Sequence, residues 1–218
     1  MLDLLLAGYP RSAGELARSA GVAPSTGSGH LAALEKAGLV HSVSKGRHRY
    51  YSIAGTEVAA ALESLARICP PTPVRSLRQS LAARELRFAR TCYDHLAGTL
   101  GVAALDAWLS LRWLRVSGLT YNLAPEGQRQ LGDLGVDIER ARSSRRAFAR
   151  PCLDWTEHRY HLAGALGAEI TRTMLSRNWF RRARAGRGLW LTSAGRDGLI
   201  GLGVRKAGLS AEQARDHR

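Results

Sequence analysis

Leu16-Ala17-x3-Gly21-Val22-x2-Ser25-Thr26-x3-His30-Leu31-x2-Leu34-x3-Gly38-Leu39, residues 16–39, is the stretch on which the fold turns. Its apolar positions Leu16, Val22, Leu31 and Leu34 fit two short helices sharing a small core, and Gly21 permits the sharp turn between them. Ser12 stands three residues before Glu15, the pattern of a capping box at the first helix. Ser25 or Thr26 begins the second helix and Gly38 closes it. The exposed start of that helix presents Ser25, Thr26, Ser28 and His30. Small hydroxyl side chains let a helix sit deep in the major groove, and the amides at its start face a phosphate. Leu39–Ser44, Lys45-Gly46-Arg47-His48 and Arg49–Ile53 then read as strand, basic turn, strand. Lys45, Arg47, His48 and Arg49 would straddle the DNA backbone or enter the minor groove. The order predicts a winged helix-turn-helix over residues 11–53 that binds double-stranded DNA.

Upstream, residues 1–8 are apolar and helical until Tyr9-Pro10-Arg11 breaks them. Downstream, Thr56 begins a helix whose stripe is Val58, Leu62 and Leu65. Pro70-Pro71-Thr72-Pro73 marks a boundary. After it, residues 74–98 read as a long basic helix with Leu77, Leu81, Phe88, Cys92 and Leu96 on one stripe. The second half repeats itself. Ala89-Arg90-Thr91-Cys92-Tyr93-Asp94 matches Ala149-Arg150-Pro151-Cys152-Leu153-Asp154, and His95-Leu96-Ala97-Gly98 matches His161-Leu162-Ala163-Gly164. Trp113 matches Trp179, and Leu123 through Val136 match Leu191 through Val204; the larger insertion in the second copy is Trp155–Tyr160. Each copy reads as helices, a hairpin (114–123 or 180–191) and a small helix. The expectation is a mainly α chain with small β-hairpins, an α+β class. Residues 1–69 form the winged helix-turn-helix, 70–88 the linker and start of the long helix, and 89–218 a C-terminal effector and dimerisation domain. That domain would consist of two winged-helix-like repeats, 89–148 and 149–218.

Charge agrees with a nucleic-acid partner. Thirty-two Lys and Arg against 18 Asp and Glu give a formal +14, which attracts polyanions, although a genome that favours arginine codons accounts for a share. Three cysteines without a CxxC make no disulfide scaffold and fit a reducing cytosol. No apolar run reaches the ~18 residues of a membrane span, and the start has neither a basic leader nor a cleavage pattern, so a cytoplasmic place is expected.

Gly14–Ile53 resembles the ArsR-type (arsenic-repressor-like) winged-helix regulators. The resemblance lies in Glu15-Leu16-Ala17, Pro24 through Leu31, Ala37-Gly38-Leu39-Val40 and Gly46-Arg47-His48-Arg49-Tyr50-Tyr51, and it is strong across residues 11–68. Pro151-Cys152-Leu153-Asp154-Trp155-Thr156-Glu157 with His161-Leu162-Ala163-Gly164 is similar to a longer subgroup of that family. The resemblance implies a homodimer that represses from a two-fold operator and lets go when an effector binds. It also implies a full helix before residue 1 packed on the helix at 56–68. Only Met1–Gly8 precedes the break, so the chain is expected to begin late, with dimer contact partly moved to Leu77, Leu81 and Phe88. Metal-sensing members carry a Cys pair at the recognition helix or Asp and His on the dimerisation helix. Residues 22–37 hold no Cys and residues 56–68 neither Asp nor His, so no metal site is expected at those two places, and no cofactor. Gly27 and Gly29 inside the recognition helix each cost ~1 kcal/mol of helix propensity against Ala.

The repeated Cys92, Asp94 and His95 and their counterparts Cys152, Asp154 and His161 leave three readings open. They form a metal or redox effector site where the copies join. Or Trp155, Tyr160 and Trp179 wall an organic-ligand pocket, with Asp154 and His161 as its polar groups. Or Cys92 is core, the aspartates cap helices and the histidines satisfy carbonyls. Two rival functions differ in kind. A non-specific architectural DNA-binding protein would share the basic surface. A small-molecule methyltransferase would need a Gly-rich loop after a strand, which is absent, so an enzyme is not expected.

Overall fold

Ser12 fixes the start of α2 (Ala13–Ala20) by the mechanism its sequence indicates. Its Oγ accepts from the Glu15 N–H at 3.3 Å, and Glu15 Oε2 accepts from the Ser12 N–H at 2.9 Å. The computed structural model describes residues 1–6, 8–66, 84–183 and 186–209. The chain forms two compact units, Met1–Pro73 with Arg184–Arg187 and Val74–Ala183 with Gly188–Arg218.

In the first unit α1 (Leu2–Leu6), β1 (Arg11–Ser12) and α2 are followed by α3 (Pro24–Lys36), β2 (Val40–Lys45), β3 (His48–Ile53) and α4 (Thr56–Ala66). Gly21 takes the left-handed conformation, φ 68°, that ends α2 and turns the chain into α3. α3 begins at Pro24, a residue earlier than Ser25, because proline's fixed φ suits the first helical position. The strands form an antiparallel sheet in the order β1-β3-β2, with Arg11 opposite Tyr51 and Lys45 opposite His48. β1 was not foreseen, since two residues are too few to show alternation. Leu5, Leu16, Leu31, Val40 and Tyr51 make the core, with Leu34 packed against it. Together these are the helices and wing of a winged helix-turn-helix, in an α+β chain as the sequence indicated.

The second unit departs from the sequence reading at its start. Residues 84–88 are helical, but 90–97 are not. β4 (Arg90–Cys92) and β5 (His95–Ala97) form a hairpin whose turn places Tyr93 at φ 62°. The stripe Phe88, Cys92, Leu96 misled because a four-residue spacing is also a multiple of the strand period of two. Leu77, Leu81 and Pro70–Pro73 lie outside the described residues. Phe88 is 4% exposed and belongs to this unit's own core, so it offers no dimer contact.

α5 (Thr99–Ser110), β6 (Leu114–Ser117), β7 (Thr120–Leu123), α6 (Pro125–Asp133) and α7 (Ile138–Ser143) follow. The order hairpin, helix, hairpin, helix then returns as β8 (Arg150–Leu153), β9 (Tyr160–Ala163), α8 (Gly164–Ser176), β10 (Phe180–Arg182), β11 (Leu189–Leu191), α9 (Ser193–Gly201) and a 3-10 turn, Lys206–Leu209. Trp155–Arg159 lengthen the β8–β9 loop.

The two copies interlock. α5 packs on β9 and α8 on β5. The Tyr121 N–H of β7 donates to Ala149 O at 3.0 Å, and the Leu189 N–H of β11 donates to Ala89 O at 2.9 Å. One core, with Leu100, Leu105, Leu166, Ile170 and Met174 at its centre, serves both. Among the described residues no helix is long and apolar enough to cross a membrane.

Candidate functional site

The first unit gathers exposed polar residues at the start of α3. Ser25, Thr26, Ser28, Gly29 and His30 are all exposed at the start of α3, while Gly27 and Leu31 face inward. Gly27 has a packing reason, for a Cβ there would stand 2.7 Å from the Cβ of Ala17, whereas a Cβ on Gly29 would meet nothing within 4 Å. The Ser28 hydroxyl donates back to Pro24 O at 2.9 Å.

The wing is a tight hairpin because Lys45 pairs with His48 and Gly46 supplies φ 61° at the turn. Lys45, Arg47, His48 and Arg49 are exposed around it. Arg49 is held by charge: its Nη1 lies 3.8 Å from Glu35 Oε2 of α3, whose other oxygen accepts from the Ser42 hydroxyl at 2.6 Å. The structure therefore brings all eight residues of the DNA-contact expectation into one unit, four on the helix and four on the wing.

In the second unit the repeated residues sit on the hairpins. Asp154 is fully buried and accepts hydrogen bonds from Arg90 Nη2 at 2.8 Å, the Gly98 N–H at 2.7 Å, the Thr156 N–H at 2.9 Å and the Thr156 hydroxyl at 2.7 Å. Burial works to raise its pKa, but His161, Arg90 and the Gly98 N–H outweigh it and hold the carboxyl well below the usual range. It caps a loop rather than a helix. Asp94 faces Arg146 instead, and burial is again outweighed, here by His95 and Arg146, so that its pKa falls to about 2.

His95 and His161 are 2% and 1% exposed. Their Nδ1 atoms lie 3.4 Å from Asp94 Oδ1 and 3.2 Å from Asp154 Oδ2, the second without hydrogen-bond alignment. The Nε2 atoms of both are buried without a hydrogen-bond partner, a state that costs about 1–3 kcal/mol for each group. Burial presses the His161 pKa down, while Asp154 and Cys92 push it up and prevail. The Cys92 and Cys152 sulfurs stand 4.0 Å apart.

The aromatic residues do not gather into one wall. Trp155 lies over Arg90, 5.0 Å from its ring centroid to the guanidinium carbon. Tyr160 is 53% exposed, and Trp179 is buried against Gly195 and Gly198 of α9. A groove elsewhere in this unit is lined by Asp94, Arg140, Arg146, Glu169 and Arg172, whose charges pair among themselves.

Residues 2–42 match the family described as bacterial regulatory protein, arsR family. YdfF of Bacillus subtilis (strain 168), an uncharacterized HTH-type transcriptional regulator, is 41% identical over 192 residues, 88% of this chain and 85% of the relative. The solved structure of reduced HlyU from Vibrio cholerae N16961 is 33% identical over 32% of this chain and 76% of that chain, with a TM-score of 0.28. A relative this similar along most of both chains, joined to the motif at residues 2–42, makes this chain a member of the arsR family of bacterial regulatory proteins and a DNA-binding transcription regulator.

Proposed function

We propose that the protein is a repressor that occupies a two-fold operator as a homodimer and is released by an effector acting on its C-terminal unit. Ser25, Thr26, Ser28 and His30 read base edges in the major groove. Lys45, Arg47, His48 and Arg49 grip phosphate or the minor groove. The observation that carries the reading is the exposed polar start of α3 in one small unit with the basic wing tip. Leu65 of α4 is 55% exposed, which supports α4 as part of the dimer face. The work is binding rather than catalysis, done in the cytoplasm where bacterial DNA lies.

Footprinting on the protein's own upstream region, with random DNA at matched salt, tests this. The expected result is a two-fold protected site preferred at least ~10³-fold over random DNA. Thr26→Ala or His30→Ala should erode that preference. Equal affinity for random DNA would replace the reading with an architectural one, and a monomer by sedimentation would remove the dimer.

A further inference from the structure

The two hairpins that open the copies present the same pair of side chains. Cys92 stands opposite His95 across β4 and β5, and Cys152 stands opposite His161 across β8 and β9. Residues directly opposite in an antiparallel ladder leave it on one face. β5 and β9 are neighbours, so the two faces meet. A nitrogen or sulfur from each of the four residues lies within 4.8 Å of every other. We propose that Cys92, His95, Cys152 and His161 together bind one thiophilic divalent cation in tetrahedral coordination, zinc(II) being the ion whose ligand set and geometry they match.

Geometry and surroundings agree. Two sulfurs on a tetrahedral zinc stand about 3.8 Å apart, so the 4.0 Å here needs only a small contraction. Each imidazole has its Nδ1 toward a carboxylate, Asp94 or Asp154, and its buried Nε2 without a partner. For His95 that is the carboxylate–histidine arrangement that orients a metal ligand and leaves Nε2 to bind, and His161 lies 3.2 Å from the same kind of partner without the alignment of a hydrogen bond. The carboxylates are themselves held by Arg146 and Arg90.

The helices behind the hairpins seat the histidines closely. Gly101 of α5 and Gly167 of α8 are held to glycine by the backbone, since a Cβ would stand 2.5 Å from Leu96 O or 2.6 Å from Leu162 O, and the same positions lie against the His161 and His95 Cβ atoms, each 3.4 Å away. On binding, each thiol releases its proton to solvent, and two thiolates balance the charge of the cation. A Cys92–Cys152 disulfide is the competing use of the sulfurs. It would leave both Nε2 atoms buried and unsatisfied, whereas the cation engages all four residues.

The site deepens the effector reading above, but its test needs no DNA, so failure of operator binding and failure of the site are separate results. Reduced full-length protein is stripped with a chelator, given equimolar zinc and dialysed. About one zinc per chain is expected to remain and to raise the melting temperature. Cobalt(II) in its place should give the intense visible bands of tetrahedral coordination and a thiolate-to-metal band in the near ultraviolet. Cys152→Ser should lose stoichiometric metal, Cys69→Ser should keep it, and Asp94→Asn should weaken it about tenfold or more. No retained zinc, a weak octahedral cobalt spectrum, or full retention by Cys152→Ser overturns the proposal. So does a Cys92–Cys152 disulfide in protein that takes no zinc when reduced. If Cys152→Ser does not fold, the wild-type cobalt spectrum and the Asp94→Asn affinity decide.

Discussion

Arg90 Nη2 lies 2.8 Å from Asp154 Oδ1, and neither side chain is exposed at all. Arg90 comes from the first hairpin of the C-terminal unit and Asp154 from the second, so the pair ties the two copies together. Removing one partner strands a buried charge, which costs about 3–5 kcal/mol. Asp154→Ala is therefore expected to lower the stability of this unit by that amount. Asp106→Ala, which breaks the exposed pair with Arg159, should change it by less than ~1 kcal/mol. Tryptophan fluorescence in urea measures both, because Trp108, Trp113, Trp155, Trp179 and Trp190 all belong to this unit. Equal effects would contradict the account.

Gly27 and Gly29 share a helix but not a reason. Gly27→Ala would force a Cβ to 2.7 Å from the Ala17 Cβ, so it should push α3 away from α2, destabilise the N-terminal unit and weaken operator binding. Gly29→Ala has open space and should stabilise the helix by about 1 kcal/mol. Far-ultraviolet circular dichroism melts of the two variants check this. The same sign for both would show that packing against α2 does not matter.

On the wing, Arg47 and Arg49 differ in their freedom. Arg49 is drawn toward Glu35, and Arg47 is at the turn itself. Arg47→Ala should weaken binding to all sequences and flatten the slope of log affinity against log salt by about one unit. Salt titrations of the DNA complex read this directly. An unchanged slope would take Arg47 off the DNA.

The capping box has a pH signature. The Glu15 pKa is lowered first by the hydrogen bond from the Ser12 N–H, then, against some burial, by the Ser12 hydroxyl, Arg11 and Arg18. A depressed carboxyl contributes stability that is full above its unfolded pKa and lost as pH falls through the folded one. At 43% side-chain exposure its share is small through screening. Ser12→Ala should cost about 1 kcal/mol at neutral pH. The gap to wild type should narrow on acidification below the ordinary glutamate range. Hydrogen exchange at the α2 amides follows it, and a gap independent of pH would exclude a contribution from the hydroxyl–carboxylate bond.

The N-terminal unit was readable because each of its signals is local. Ser12 and Glu15 are three apart, Gly21 ends a helix in its own turn, and Lys45 and His48 face each other across two residues. The C-terminal site was only half legible. The repeat exposed Cys92, His95, Cys152 and His161 as a matched set, but the sequence could not show that they share one face. Sixty residues separate the two cysteines, and their meeting depends on packing between β5 and β9. Arg90 gave no signal. An arginine in a basic chain reads as solvated, and only tertiary burial singles it out. The role of Gly27 stayed hidden because propensity counts the penalty of a glycine and not the neighbour that requires it.

The crossed packing of α5 on β9 and α8 on β5 means that the two copies share one inside. A gene holding one copy would encode half an interior, complete only when two chains met. Joining the halves in tandem replaces that encounter with a tether, and assembly no longer depends on concentration. It also frees the halves from being identical. Arg90 has become the sealed partner of Asp154, while its counterpart Arg150 remains in solvent, a difference that two separate chains of one sequence, paired symmetrically, could not have acquired.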